Sequence, residues 1–275
     1  MKQILTVLSF CILLSISCSS SNAPIENKPR SFNPNKDLIS LHYDHAPDKD
    51  DGQSAAADRT ILQSLYGKDW IKDHVVAVSG AYGKNAKDFN PNSDAVMDAA
   101  WNDCGGWIAA HASRENAITE MTKRWSRTLK AGGDVWVKEG GQSDLTAAVI
   151  EKIQKQMPKI DTTKRIHTVQ HSTWNEDQAA EADLAYTKDN TDYIRISDAN
   201  RYLNVRGGND IFVKAATEHP AFTDIWKAAF AYYNPKERID FSDTGELMHI
   251  LELGELNIDQ FRKRFLDNTN SNFRD

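Results

Sequence analysis

Short runs of apolar and β-branched residues alternate along this chain with stretches of helical period. The clearest are Leu38–Tyr43, Val75–Ser79, 135–139 and Ile166–Gln170, each bounded by Gly, Asp or Asn, with a weaker fifth at 193–196. Runs this short and this continuously apolar are strands buried on both faces. Strands separated by helices pair in parallel and need helices over both faces to cover them. The pattern therefore predicts an α/β fold built on a mostly parallel open sheet with helices on both faces. Ser93 is placed to start a helix through Trp101. Ile118, Met121, Trp125 and Leu129 recur at spacings of three and four in a helix that Gly132 and Gly133 end. Leu145, Val149 and Ile153 share a face of the next helix, which Ser143 can cap. Further helices are expected from Pro220 to about Tyr233, over 245–253 and over 258–266. With 40% hydrophobic and 26% charged residues in 275, a full core is available. One α/β domain is read over 37–267, with a frayed polar tail at 268–275.

The strand Leu38–Tyr43 leads directly into His42-Tyr43-Asp44-His45-Ala46-Pro47-Asp48-Lys49-Asp50-Asp51-Gly52. Asp44, Asp48, Asp50 and Asp51 repel one another unless a cation, a proton or bulk water relieves them. In an open α/β sheet, ligands bind outside the carboxyl ends of the strands. The turn is thus either a site for a hard, oxygen-ligated cation, Ca²⁺ or Mg²⁺, or a solvated acidic loop. His42 and His45 flank Asp44 as partners of its carboxylate or as satisfied buried residues. Two later turns have the same strand-to-helix setting. Glu139-Gly140-Gly141-Gln142-Ser143-Asp144-Leu145-Thr146 offers close backbone approach and carbonyl ligands. Asp240-Phe241-Ser242-Asp243-Thr244-Gly245-Glu246 puts Asp243 at a helix start, where it either caps or ligates. One parallel sheet would bring all three turns to a common rim. Past the fourth run, Trp174, Asn175 and Glu176 form a cluster in which Trp174 either meets a ligand or simply covers the sheet edge. Asp198-Ala199-Asn200 is a second cluster of the same kind.

Several classes are excluded. A net charge of −6, a pI near 5.8 and the lack of a basic stretch interleaved with aromatics argue against nucleic acid as a partner. An EF-hand fails by register, with Gln53 where Gly is needed and Arg59 where Glu is needed. The eight histidines lack zinc spacing, and no His-Glu-x-x-His, Gly-x-Ser-x-Gly or phosphate loop occurs. Trp101, Trp107, Trp125 and Trp226 are read as core residues, and 123–130 as the solvated face of a helix. Cys104 is read as a small buried residue.

The amino-terminal segment is read as a leader. Lys2 precedes an apolar stretch over 4–16 that is too short to span a bilayer. Leu14-Ser15-Ile16-Ser17-Cys18 resembles a bacterial lipoprotein signal, although Ser15 stands where Leu is usual. That resemblance implies lipidation of Cys18 and, from Ser19, sorting to the outer membrane, facing the periplasm or the cell surface. A plain secretory signal is the alternative. Residues 19–36, rich in Ser, Asn and Pro, form a tether. The membrane is then touched through the lipid anchor only.

The three turns together resemble the nucleoside hydrolase fold, the calcium-dependent N-ribohydrolases and their relatives. Asp44, Pro47, Asp50 and Asp51 match the first, fourth, seventh and eighth positions of that family's Asp-x-Asp-Pro-Gly-x-Asp-Asp. Gly140–Thr146 is similar to its Gly-Pro-Leu-Thr-Asn-Leu-Ala, and Ser242-Asp243 to its His-Asp. The resemblance implies one Ca²⁺ held by Asp50, Asp51, Asp243 and the Ser143 carbonyl. It also implies that Trp174 stacks on a sugar face while Asn175, Glu176 and Asn200 pair its hydroxyls, and that an N- or O-glycosyl bond is hydrolysed by calcium-bound water, through an oxocarbenium-like transition state. Ala46 stands where the family has its second Asp, the supposed base, and Ser242 stands where it has the His that aids leaving-group departure. Asp44 or Asp48 would have to supply the missing base. These departures imply a divergent branch whose substrate is a glycan or small sugar derivative rather than a free nucleoside. Alternatively, the same rim belongs to a non-catalytic lipoprotein that binds saccharide or metal.

Overall fold

The computed structural model describes residues 30–267. The leader with Cys18, most of the tether and the tail at 268–275 lie outside the described residues. Six strands form one open, all-parallel sheet: β1 (Leu38–Tyr43), β2 (Val75–Ser79), β3 (Trp107–Ala109), β4 (Val135–Gly140), β5 (Ile166–Gln170) and β6 (Asp192–Arg195), in the order 3-2-1-4-5-6. From β1 the chain winds outward through β2 to β3. It then crosses back to lay β4 on the other side of β1, with Ile39 opposite both Val75 and Trp136. Strand order reverses between β1 and β4, which opens a crevice at their carboxyl ends.

Alternation along the strands divides the core. Ile39, Leu41, Tyr43, Ala77 and Trp136 point into one apolar layer; Leu38, Val76, Val78, Val135 and Val137 point into the other. The helices, in chain order, are α1 (Asp50–Tyr66), α2 (Lys68–His74), α3 (Asp94–Trp101), α4 (Arg114–Lys130), α5 (Asp144–Gln156), α6 (Thr162–Arg165) and α7 (Thr173–Gln178). After them come α8 (Glu181–Asn190), α9 (Asn200–Leu203), α10 (Asp210–Glu218), α11 (Thr223–Tyr232), α12 (Thr244–Ile250) and α13 (Ile258–Phe265). The first core layer is filled from α1, α3 and α10–α13, the second from α4 and α5. No helix among the described residues is long and apolar enough to cross a membrane.

Helix α1 sits between the sheet and an outer layer that includes α11, and is buried on nearly every side from Asp51 to Gln63. Small residues permit this. A Cβ on Gly52 would come 2.4 Å from Cδ1 of Tyr232, so the absence of a side chain lets α11 close over the first turn of α1. A methyl group there would overpack a tight contact, at about 1–3 kcal/mol. The helix α11 begins at Thr223 rather than Pro220, because the His219 carbonyl first takes the amides of Phe222 and Thr223 in a turn. A small antiparallel pair, β7 (Asn204–Arg206) with β8 (Arg238–Asp240), delivers the chain to the turn before α12.

Candidate metal centre

Asp44 is the first residue beyond the carboxyl end of β1. The chain then turns through His45, whose φ of 52° lies in the left-handed region, and a cis Ala46–Pro47 bond. It enters α1 at Asp50, so Asp50 and Asp51 occupy a helical first turn, where free backbone N–H groups favour negative charge. From the other side, β8 ends at Asp240 and the chain reaches Asp243 at the start of α12. One carboxylate oxygen from each of Asp50, Asp51 and Asp243 lies within 4.8 Å of the others. The first and third acidic turns, far apart in the sequence, therefore meet at one point.

Each member of the triad is anchored differently. Asp51 accepts the His45 N–H with Oδ2, while its buried Oδ1 has no hydrogen-bond partner among the described residues. Asp50 accepts the Asp51 N–H at 3.0 Å. His171, immediately after β5, donates from Nε2 to Oδ1 of Asp243 at 2.9 Å. The expected helix caps do not form: neither Asp243 nor Ser143 caps its helix through its side chain.

The electrostatics are those of a site short of positive charge. Burial, and then the Asp44, Asp243 and Asp50 charges, hold the Asp51 carboxyl well above the usual carboxylate range; burial and then Asp48 do the same to Asp50. Burial also lifts Asp44 and Asp240 to about 6 and Glu246 to about 8. Asp243 goes the other way, because the His171 hydrogen bond and the Lys138 charge outweigh its burial. Burial disfavours charge on His171, yet Asp198 and Asp243 carry its value up to about 10. Lys138 is fully buried, with Nζ 3.3 Å from Asp58 Oδ2 and 4.1 Å from the centre of the Tyr43 ring. These cations cannot balance Asp44, Asp50, Asp51, Asp58, Asp243 and Glu246 together.

The donor set is all carboxylate oxygen, which suits a hard divalent cation. Two ligands on opposite sides of Ca²⁺, at about 2.3–2.6 Å each, stand roughly 5 Å apart, so a 4.8 Å spread accommodates a shared ion. Three protein carboxylates leave several of its usual six to eight positions for water or ligand.

Asp50 and Asp243 line a cavity of about 330 Å³ at the crevice, with Asp51 behind them. Asp44 lines it too. Its Oδ1 accepts the Ala46 N–H, and its Oδ2 accepts from Gln142 Nε2 and Asn85 Nδ2. Asp48 lies exposed on the same wall, and Trp174, Asn175 and Asn200 complete the expected group there.

Two expected residues have partners of their own. The Ser143 carbonyl accepts the Ala147 N–H at 2.8 Å as the first turn of α5 forms, and the Thr187 hydroxyl from α8. Glu176 does not face the cavity. It takes the Tyr193 hydroxyl at 3.0 Å, Lys188 at 2.8 Å and Arg195 at 3.5 Å, and these partners overcome partial burial to hold its carboxyl below the usual range.

Other groups at the centre had no assigned role from sequence: Lys138, Gln142, His171, Glu246, Asn85 and Arg238. Lys138 carried a visible signal, a lysine in the middle of the buried run Val135-Trp136-Val137-Lys138-Glu139. His171 follows a strand end, the place where ligands gather in such sheets. No protein family, no curated protein and no solved structure matches this chain.

Proposed function

We propose that the protein hydrolyses an N- or O-glycosyl bond in a small sugar-containing substrate or glycan, with one Ca²⁺ held by Asp50, Asp51 and Asp243. The observation that carries the reading is the convergence of these carboxylates, with the unpartnered Oδ1 of Asp51, at the mouth of the β1–β4 crevice. The resemblance of the three turns to nucleoside hydrolases supports the same fold group and the same ion. A bound divalent cation supplies Lewis-acid activation and a template for vicinal hydroxyls.

The chain's own residues supply the rest. Asp44 faces the cavity with one oxygen held by two side-chain amides, which aims its carboxyl at the space where a proton would be taken up. It is the better base than Asp48, which is exposed at the mouth. The carboxylates around the cavity favour the positive charge that develops on a sugar ring as its bond breaks. Trp174, half exposed, offers a ring face for stacking, and the Asn175 and Asn200 amides offer polar contacts. The proposed setting is the periplasm or cell surface, through a leader ending at lipidated Cys18.

A non-catalytic saccharide- or metal-binding protein is the second reading. Ala46 favours it, since this buried methyl lines the cavity where the related turn carries an aspartate. The two separate on a panel of glycans and nucleosides assayed for reducing-sugar release, with calcium or a chelator, using wild type and Asp51→Ala. Calcium-dependent cleavage by wild type alone supports hydrolysis. Binding of calcium and sugar without any cleavage across the panel gives the second reading.

A further inference from the structure

Arg238 lies at the start of β8 and lines the same cavity with a side chain 23% exposed. Among the described residues its guanidinium has one partner, Asp240 Oδ2 at 3.5 Å, the outer limit of a hydrogen bond. A guanidinium has five N–H donors in a planar fork, and one long contact leaves most of them unspent. Other arginines nearby are committed. Arg195 is spent on Glu176, Thr173 and the Gln170 carbonyl, and Arg59 is buried against Gln63 and Asp103. Arg238 is the guanidinium of the cavity wall.

We infer that Arg238 forms a carboxylate subsite and that the sugar bound in this cavity is a uronic acid. This rests on the saccharide reading above and names the substrate class within it. The planar fork of an arginine matches a carboxylate with two parallel hydrogen bonds, a geometry that lysine lacks. The cavity, at about 330 Å³, is at the small end of the roughly 300–1,000 Å³ usual for ligand pockets, which suits a single sugar unit. Trp174 on the same wall provides a platform for its ring. A carboxylate is favoured over a phosphate because the wall also carries Asp44, Asp48, Asp50, Asp240 and Asp243. Repulsion from these grows with ligand charge, and a sugar phosphate brings nearly twice that of a uronate.

The test is calorimetric binding to the full chain in CaCl₂, with glucuronate and galacturonate against glucose and galactose, and with glucose 6-phosphate as the phosphate arm. The expected result is a uronate affinity about 10- to 100-fold above that of the matching neutral sugar, the range of a charged hydrogen bond. Arg238→Gln should abolish that preference, and Arg238→Lys should keep part of it. Melting curves of both variants should stay close to wild type. Equal affinity of wild type for acid and neutral sugars overturns the inference and leaves the saccharide reading standing. So does a preference that survives in Arg238→Gln, or tighter binding of glucose 6-phosphate than of either uronate. If no sugar binds while the calcium-induced rise in melting temperature persists, the saccharide reading falls, and the subsite with it.

Discussion

Replacing Asp51 by asparagine should do two opposite things: stabilise the cation-free protein and abolish its response to calcium. Asp51 is buried, one of its oxygens has no hydrogen-bond partner among the described residues, and its carboxyl is held up by burial and by Asp44, Asp243 and Asp50. A carboxyl whose folded value is raised contributes stability below its unfolded value near 3.9, and this is lost as pH rises through the folded value. Asp44, at about 6 against 3.8, illustrates the scale: about 3 kcal/mol lost once the pH has passed 6. A cation reverses that loss by binding the ionised carboxylates. At 100 times its Kd it stabilises by about 2.7 kcal/mol, a rise in Tm of roughly 5–10 °C for a domain of this size. Where binding must displace one proton, affinity falls about tenfold per pH unit, so at fixed calcium the rise vanishes about two pH units lower. The assay is thermal melting after chelator dialysis, with and without CaCl₂, from pH 5 to pH 8. Comparing the two curves at each pH cancels the contributions of groups that calcium does not touch. Wild type should show a rise that grows with pH. Asp51→Asn should melt higher than wild type without calcium at pH 7.5 and show no rise. A rise of equal size at pH 5 and pH 8, or one retained in Asp51→Asn, would refute the reasoning.

Gln142→Ala removes the side chain that joins Asp44, Gly83 and Asn175. With those buried groups left short of partners, stability should fall by about 1–3 kcal/mol, and turnover should drop while calcium affinity holds, read by denaturant melts and calorimetry. Lys138→Met leaves Asp58 buried without its cation and should cost about 3–5 kcal/mol in urea unfolding; an unchanged midpoint would show that Tyr43 alone satisfies Asp58. Cys104 is buried beneath Arg59, and burial pushes its thiol up to about 11. Peptide mapping after iodoacetamide should find it unmodified in the native protein and modified in denaturant.

The parts of the fold legible in the sequence are those whose signal is local. The strands β1, β2, β4 and β5, which the composition marks, are buried on both faces, so every residue in them had to suit the core. The three-residue strands β3, β7 and β8 are too short for any periodicity, and what makes them strands is a partner elsewhere: β2 for the first, and each other for the last two. The same division runs through the site. Asp50, Asp51 and Asp243 were legible because a carboxylate at a strand-to-helix turn is costly without a compensating partner; the route to Asp243 was not, since it follows β8 of the small antiparallel pair rather than a strand of the parallel sheet. Ser143 is less legible, because a carbonyl's partner is decided by whether the helix starts one residue earlier or later. Here α5 begins at Asp144, and the Ser143 oxygen is consumed by Ala147. Glu176 fails for a related reason. It stands next to two residues that line the cavity, but α7 turns successive side chains by about 100°, and Lys188, Arg195 and Tyr193 capture it on the far side. Lys138 marks the opposite case, where the sequence anomaly was plain and its meaning was not. A lysine inside an apolar strand must find counter-charge, and its counter-charge is Asp58 together with the centre itself, since Asp243 and Asp51 also hold it ionised. The acidic triad is therefore built against a resident cation, and only the negative charge that Lys138 and His171 leave unbalanced is available to bind an ion.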